Sequence, residues 1–184
     1  MNQPLRNRVI KYLAAPGAVA VVAASILLGG GDSPDGGLEG RKYYPYYDVA
    51  GVLTVCNGHT GPDIIKGKRY SDAECEALLQ TDLLKVEKRI SPLIKVDVTT
   101  AQKAALLSFA YNVGTGAFAR SSLLRHLNAG DRDQACKDLK DWIYAGKDSA
   151  GKPKKWQGLI NRRDIEKEIC DWKQQPIKSL VASS

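Results

Sequence analysis

The feature that most constrains this chain is an uncharged run of twenty residues, 12–31, set behind Arg6, Arg8 and Lys11. As one helix it would reach about 30 Å, the thickness of a bilayer's hydrocarbon layer. The basic residues before it, with Asp32 and Asp35 after it, orient such a span with the N-terminus in the cytoplasm and the rest outside. The run is nevertheless a weak span: six alanines, four glycines, Pro16 and Ser25 dilute only seven Leu, Ile and Val residues. A cleaved leader needs small residues at the end of its apolar core, and Ala18-Val19-Ala20 lies mid-run with Ile26-Leu27-Leu28 still to come. A buried core helix does not usually carry a clean basic flank followed by a linker. The reading that fits best is an uncleaved export signal that spans weakly and can leave the membrane. Asp32-Ser33-Pro34-Asp35-Gly36-Gly37 is turn and linker chemistry. The expected division is therefore signal and linker over 1–36 and a folded body over 37–184.

The whole chain of 184 residues is long enough for one domain with a real core and an appendage. Its formal net charge of +7 points to an anionic partner: nucleic acid, a membrane surface or an acidic wall polymer. No zinc-finger, helix-turn-helix or ribonucleoprotein signature accompanies the charge, which argues against nucleic acid. Cys56, Cys75, Cys136 and Cys170 are far apart with no CxxC pair, which argues against structural zinc. In an exported protein they are two disulfides, with three possible connectivities.

The body reads as a small β region followed by helices, an α+β arrangement. Val52-Leu53-Thr54-Val55 is the clearest strand of a hairpin over 46–56, with Gly51 at its turn. Ser71-Asp72-Ala73-Glu74 is a capping box that opens a helix ending at Ser91-Pro92. Thr99-Thr100-Ala101-Gln102 opens a second helix, with Ala105, Leu106, Phe109 and Ala110 as its buried stripe. Further helices are expected over 118–128, 131–144 and 161–172, with a Gly/Pro/Lys loop over 147–155.

Chemistry concentrates just after the linker, in Glu39, Asp48 and Thr54. Cutting a glycosidic bond needs one protonated carboxyl to protonate the leaving oxygen and one carboxylate to activate water or attack. Glu39 suits the acid, Asp48 the ionised group, and Thr54 could help hold a water. Bland readings compete: a capping carboxylate, a turn former and a strand residue. His59 reads better as a hydrogen-bonded structural histidine than as a base, and His126 as plain surface. Tyr43, Tyr44, Tyr46 and Tyr47 could line a sugar cleft or pack the hairpin.

The pattern Leu38-Glu39-Gly40, then Tyr46-Tyr47-Asp48-Val49-Ala50-Gly51-Val52-Leu53-Thr54, then Gly58-His59-Thr60 resembles the active-site motif of phage-type lysozymes, glycoside hydrolase family 24. Ser108-Phe109-Ala110-Tyr111-Asn112-Val113-Gly114, Ser122-Leu123-Leu124 and Trp156 through Arg163 resemble the same family. The resemblance covers about 37–171. It implies a lysozyme-like α+β fold and a peptidoglycan N-acetylmuramidase acting with inversion, without a cofactor or metal. It implies Glu39 as general acid, with Asp48 and Thr54 positioning and activating water and Arg162 supporting; His59 and Tyr47 are further candidates for a supporting role. Arg162 matches an arginine that pairs with the acid, a tension because a cation favours the ionised carboxyl. The weak apolar run resembles signal-anchor-release endolysins, implying export by the host secretion machinery, an inactive form at the inner membrane, and release of a monomer to the periplasm. Where many members carry Gly-Xaa-Gly before the histidine, this chain has Cys56-Asn57-Gly58, which hints at Cys56–Cys75 and hence Cys136–Cys170. Alternatives are a lytic transglycosylase, a non-catalytic wall-binding module, or a salt-sensitive basic protein acting on nucleic acid or membranes.

Overall fold

The computed structural model describes residues 3–30, 37–48, 50–147 and 149–172. Gly31, the linker residues 32–36 and the last part of the expected body, 173–184, lie outside the described residues.

The uncharged run does not form one helix. Its two ends belong to α1 (Gln3–Leu13) and α2 (Ala20–Gly29). Pro16 has no N–H to continue α1, and Gly17 turns the chain at φ +76°, where a Cβ would be strained. Among the described residues no helix is long and apolar enough to cross a membrane. Leu5, Val9 and Leu13 recur at helical spacing and are buried, while Arg6 on the same helix pairs with Glu168 at 2.5 Å. In α2, Ala23, Ala24, Leu27 and Leu28 are all fully enclosed in the main core. Burying each leucine contributes about 1.5–3 kcal/mol. The α2 part of the run that reads as a weak membrane span is, in this form, part of the protein interior, while Ala14, Ala15, Pro16, Gly17 and Val19 stay exposed.

An antiparallel sheet follows, of β1 (Lys42–Tyr47), β2 (Leu53–Cys56) and β3 (His59–Thr60), in that order. Pro45 cannot donate to a ladder and sits in the edge strand β1, where the register slips between Lys42↔Cys56 and Tyr46↔Thr54. Gly51 makes the β1–β2 turn at φ +74°.

α3 (Asp72–Ile90) begins at the expected capping box, with Ser71 and Glu74 bonding reciprocally, and runs into a 3-10 turn at Ser91–Leu93. α4 (Thr100–Val113) opens with a second box between Thr99 and Gln102 and is the central helix. The helix expected from 118 is two: α5 (Thr115–Ala119) and α6 (Ser122–Asn128), divided where the Ser121 hydroxyl caps the Leu124 N–H. α7 (Arg132–Asp138) gives way at Leu139 to a 3-10 turn, not a helix to 144. The expected 147–155 loop is a hairpin, β4 (Tyr144–Lys147) paired with β5 (Pro153–Lys155). α8 (Gln157–Asp171) starts four residues earlier than its apolar spacing indicated. His126 is not plain surface: its Nδ1 lies 2.7 Å from Oδ2 of buried Asp138, joining α6 to α7.

Cys56–Cys75 ties β2 to α3, and Cys136–Cys170 ties α7 to α8, the pairing the resemblance implied. Cys56 has φ +57°, the left-handed region that glycine enters freely. A non-glycine residue there costs on the order of 1 kcal/mol, and the covalent link to α3 holds it in place. The arrangement is the α+β one expected.

Candidate active site

Glu39 is placed by the C-terminal end of α2. The last carbonyls of a helix have no partner within it. Leu27 O and Leu28 O therefore accept from the Leu38 and Glu39 N–H groups, both at 3.0 Å. Gly30 closes the helix in the left-handed conformation, φ +81°. Gly37 approaches the same turn so closely that a Cβ would fall 2.1 Å from Leu28 O and 2.4 Å from Gly30 N. From the other side, Asn57 Nδ2 donates to Glu39 O at 3.3 Å, and Arg41 Nε donates to Asn57 Oδ1 at 3.2 Å. The acid's backbone is thus held between the N-terminal segment and the residue that follows β2.

The half-buried Glu39 carboxylate meets Arg162 Nη1 at 2.6 Å. Arg162 is a shared cation: its Nε reaches Glu166 Oε1 at 3.0 Å and its Nη2 donates to Ser108 O at 3.2 Å. Glu166, fully buried, also accepts from Ser108 Oγ at 2.6 Å and pairs with Arg163. Arg163 donates in turn to Asn112 Oδ1 and Trp142 O. Two buried arginines facing Glu166 and Glu39 make a balanced cluster, which such a site requires, since a buried unpaired charge costs several kcal/mol. Glu39, Arg162, Asn112 and Trp156 border a cavity of about 380 Å³. On the neighbouring face Tyr111, Gly58, Thr60 and Asp82 border another of about 540 Å³. Tyr111 donates to Asn57 O at 2.9 Å. Burial, then the Asp82 and Glu39 carboxylates, push its phenol well above the usual range, so it stays a donor.

Asp48 and Thr54 form a second group, joined through the backbone of Val52. Asp48 Oδ1 accepts from Ala50 N and Val52 N, both at 2.8 Å, while Asp48 N and Thr54 Oγ1 each donate to Val52 O at 3.0 Å. The turn thereby fixes the carboxylate, and buried Thr54 pairs across the sheet with Tyr46 and Thr60. Tyr47 stands 61% exposed at the end of β1, with Lys66 Nζ 5.7 Å from its ring centre. His59 is buried, with Nδ1 2.7 Å from Asp82 and Nε2 3.2 Å from Asp63. A backbone hydrogen bond, then His59, hold Asp63 below the usual carboxylate range. Among the described residues no group of three His, Cys, Asp or Glu could hold a metal ion.

The structure thus brings Glu39 to Arg162, and Asp48 to Thr54 through Val52; Asn57, three residues beyond Thr54 in the chain, bonds to the Glu39 backbone, while Asp48 and Thr54 do not line the Glu39 cavity. Sequence reasoning missed Asn57, Arg41 and Glu166. The four-residue spacing of Arg162 and Glu166 on one helix was a signal for the last; no local pattern pointed to the others.

The chain's residues 36–166 match the family model described as phage lysozyme. It is 49% identical to the SAR-endolysin of Bacteriophage PS119, over 95% of this chain and 99% of that protein. It is 51% identical to the SAR-endolysin of Enterobacteria phage P21, over 88% and 94% respectively. Among solved structures it resembles the muramidase domain of SpmX from Asticaccaulis excentricus, with TM-score 0.73 and 28% identity over 82% of this chain and 96% of that one. It also resembles the active form of P1 phage endolysin Lyz, with TM-score 0.63 and 25% identity over 90% and 92%. With the fold and these matches in agreement, the chain belongs to the phage lysozyme family and is a SAR-endolysin relative.

Proposed function

We propose that the protein is a phage endolysin that hydrolyses the β-1,4 bond between N-acetylmuramic acid and N-acetylglucosamine in peptidoglycan. The observation that carries this is Glu39, oriented by Arg162 on the rim of a cavity and linked through Asn57 to the strand that bears Thr54. In this reading Glu39 gives its proton to the glycosidic oxygen as the bond to the anomeric carbon breaks. Water, held by Asp48 and Thr54, attacks that carbon from the opposite face and loses a proton to Asp48, inverting the configuration. Arg162 orients the Glu39 carboxyl through its Nη1 contact at 2.6 Å. His59 and Tyr47 support the β region and its rim.

Residues 12–31 serve as the export signal, with the N-terminus cytoplasmic and the body periplasmic. The host secretion machinery delivers the protein, which acts as a monomer and takes no nucleic acid partner. In the membrane-held form α2 cannot offer its carbonyls to Leu38 and Glu39, so the acid is unplaced and the enzyme is off. Release lets α2 dock and completes the site. The experiment is release of reducing ends from purified peptidoglycan by wild type and Glu39→Gln. The variant should lose on the order of 100- to 10,000-fold activity with an unchanged near-UV spectrum. Retained hydrolysis would remove the acid from Glu39, and anhydro-muramic products from wild type would replace hydrolysis with transglycosylation.

A further inference from the structure

The β4–β5 hairpin stands beside Glu39 without a part in the reading above. Residues 147–155 carry Lys147, Lys152, Lys154 and Lys155 against one acid, Asp148. Lys147, Lys154 and Lys155 are exposed on the two strands. Tyr144 and Trp156, at its base, leave 48% and 50% of their surfaces in water. Lys155 Nζ lies 5.8 Å from the Tyr144 ring centre and Lys154 Nζ 5.4 Å from that of Trp156. Trp156 is fixed as a platform: its indole N–H donates across the hairpin to Ala145 O, and its backbone N–H to Ile143 O at 3.0 Å. Ala145 and Trp156 line the cavity that holds Glu39 and Arg162. A rigid, half-exposed indole with the Lys154 ammonium beside it and the Lys155 ammonium over neighbouring Tyr144 suits a ligand with an apolar face and attached carboxylates.

The geometry points to this hairpin as a contact surface for the carboxylate-bearing peptides attached to the glycan strand being cut, with Lys154 and Lys155 meeting the carboxylates and Trp156 the adjoining apolar face. This rests on the muramidase reading. A glycan whose scissile bond lies at Glu39 must pass Trp156, which borders the same cavity, and the peptides branching from its muramic residues come within reach of the two lysines. An anionic lipid surface is the less suitable occupant, because lipid seated on Trp156 would cover the cavity mouth where substrate enters.

The test compares full-length wild type with Lys154→Gln/Lys155→Gln on two substrates: intact peptidoglycan and glycan strands stripped of peptides by an amidase. The readout is the ratio of kcat/KM on the two. Two exposed charge contacts predict that the variant's preference for peptide-bearing strands falls roughly five-fold, chiefly through KM, with a shallower salt dependence. The charge-matched Lys88→Gln/Lys95→Gln variant, on other elements, should keep the wild-type ratio. Trp156→Phe, which keeps an aromatic face, should keep most of the preference. An unchanged ratio in Lys154→Gln/Lys155→Gln overturns the proposal, as does an equal loss in both lysine pairs. So does a loss seen only in sedimentation with anionic phosphatidylglycerol vesicles, which would assign the hairpin to lipid. Failure of wild type to release reducing ends from either substrate would instead overturn the muramidase reading itself.

Discussion

α2 and α4 lie side by side in the core and are both buried almost all round, yet they are specified in different ways. α4 carries its own start signal: Gln102 N donates to Thr99 Oγ1 at 3.1 Å and Thr99 N to Gln102 Oε1 at 3.0 Å. α2 begins at Val19 with no side-chain cap. α4 supplies site groups directly, through Ser108, Tyr111 and Asn112. α2 supplies only backbone carbonyls, and its partners are written elsewhere in the chain. Its single hydroxyl, Ser25 Oγ, reaches Glu76 at 2.6 Å, and Glu76 also faces Arg41 and Gln80. Gly29 lies so close to α3 that a Cβ would meet Leu79 at 3.0 Å and Glu76 at 3.2 Å. A helix of Ala, Val, Ile, Leu and Gly with one serine has a composition that suits lipid and is small enough to be received by a prepared slot. The segment can therefore leave or enter without carrying a catalytic side chain with it.

Substitutions that separate the two helices sharpen this contrast. The largest effect is expected from Gly37→Ala. Its methyl would collide with the backbone of α2, displacing Leu38 and Glu39, and a shift of about 1 Å in a catalytic group costs about 100-fold in rate. Activity on peptidoglycan should fall by that order while the near-UV signal of the body persists; an active Gly37→Ala protein would mean that α2 does not place the acid. Glu76→Ala comes next, removing the acceptor of Ser25 and one of the partners of Arg41. It should loosen the docked segment by about 2 kcal/mol, seen as a larger membrane-bound fraction and faster proteolysis before residue 38. Thr99→Ala should cost about 1 kcal/mol of global stability by thermal unfolding, with specific activity at low temperature retained. That pattern would mark α4 as structural in a way that α2 is not.

The smallest effect is at the start of α3. A hydrogen bond from Lys68, then the Ser71 backbone and hydroxyl, hold the Glu74 carboxyl at about 2, below its ordinary 4.5. A depressed folded pKa makes this cap fully present above about pH 4.5 and lost as pH falls towards 2. Glu74→Gln should flatten that acid limb of the stability profile and leave neutral pH almost untouched. A profile with the same acid limb in both proteins would remove Glu74 from it.

Much of this was legible in the chain. The capping box at Ser71 and the helix start at Thr99 were visible because a side chain and the backbone three residues on make a local pattern. Glu39, Asp48 and Thr54 stood out through their spacing and their resemblance to a known motif. The β4–β5 hairpin was not visible, because Lys147 to Lys155 has neither alternation nor a two-residue turn signal, and its strands are exposed on both faces. Nor was the docking of α2: its composition suits lipid and core alike, and the groups that decide, Gly37, Arg41 and Glu76, lie between 8 and 47 residues beyond its end at Gly29. Arg41 and Asn57 were missed for the same reason, since their contacts join segments distant in sequence.

Docking of α2, through Leu27 O and Leu28 O, is what we infer places Glu39. It is tested most directly by amide hydrogen exchange at Leu38 and Glu39 in the membrane-held and released forms of the same full-length protein, with peptidoglycan hydrolysis followed in parallel. Slow exchange is expected at both amides only in the released, active form, because their acceptors are Leu27 O and Leu28 O. Equal protection in both forms, or full hydrolysis by protein whose Leu38 and Glu39 amides exchange freely, would contradict it.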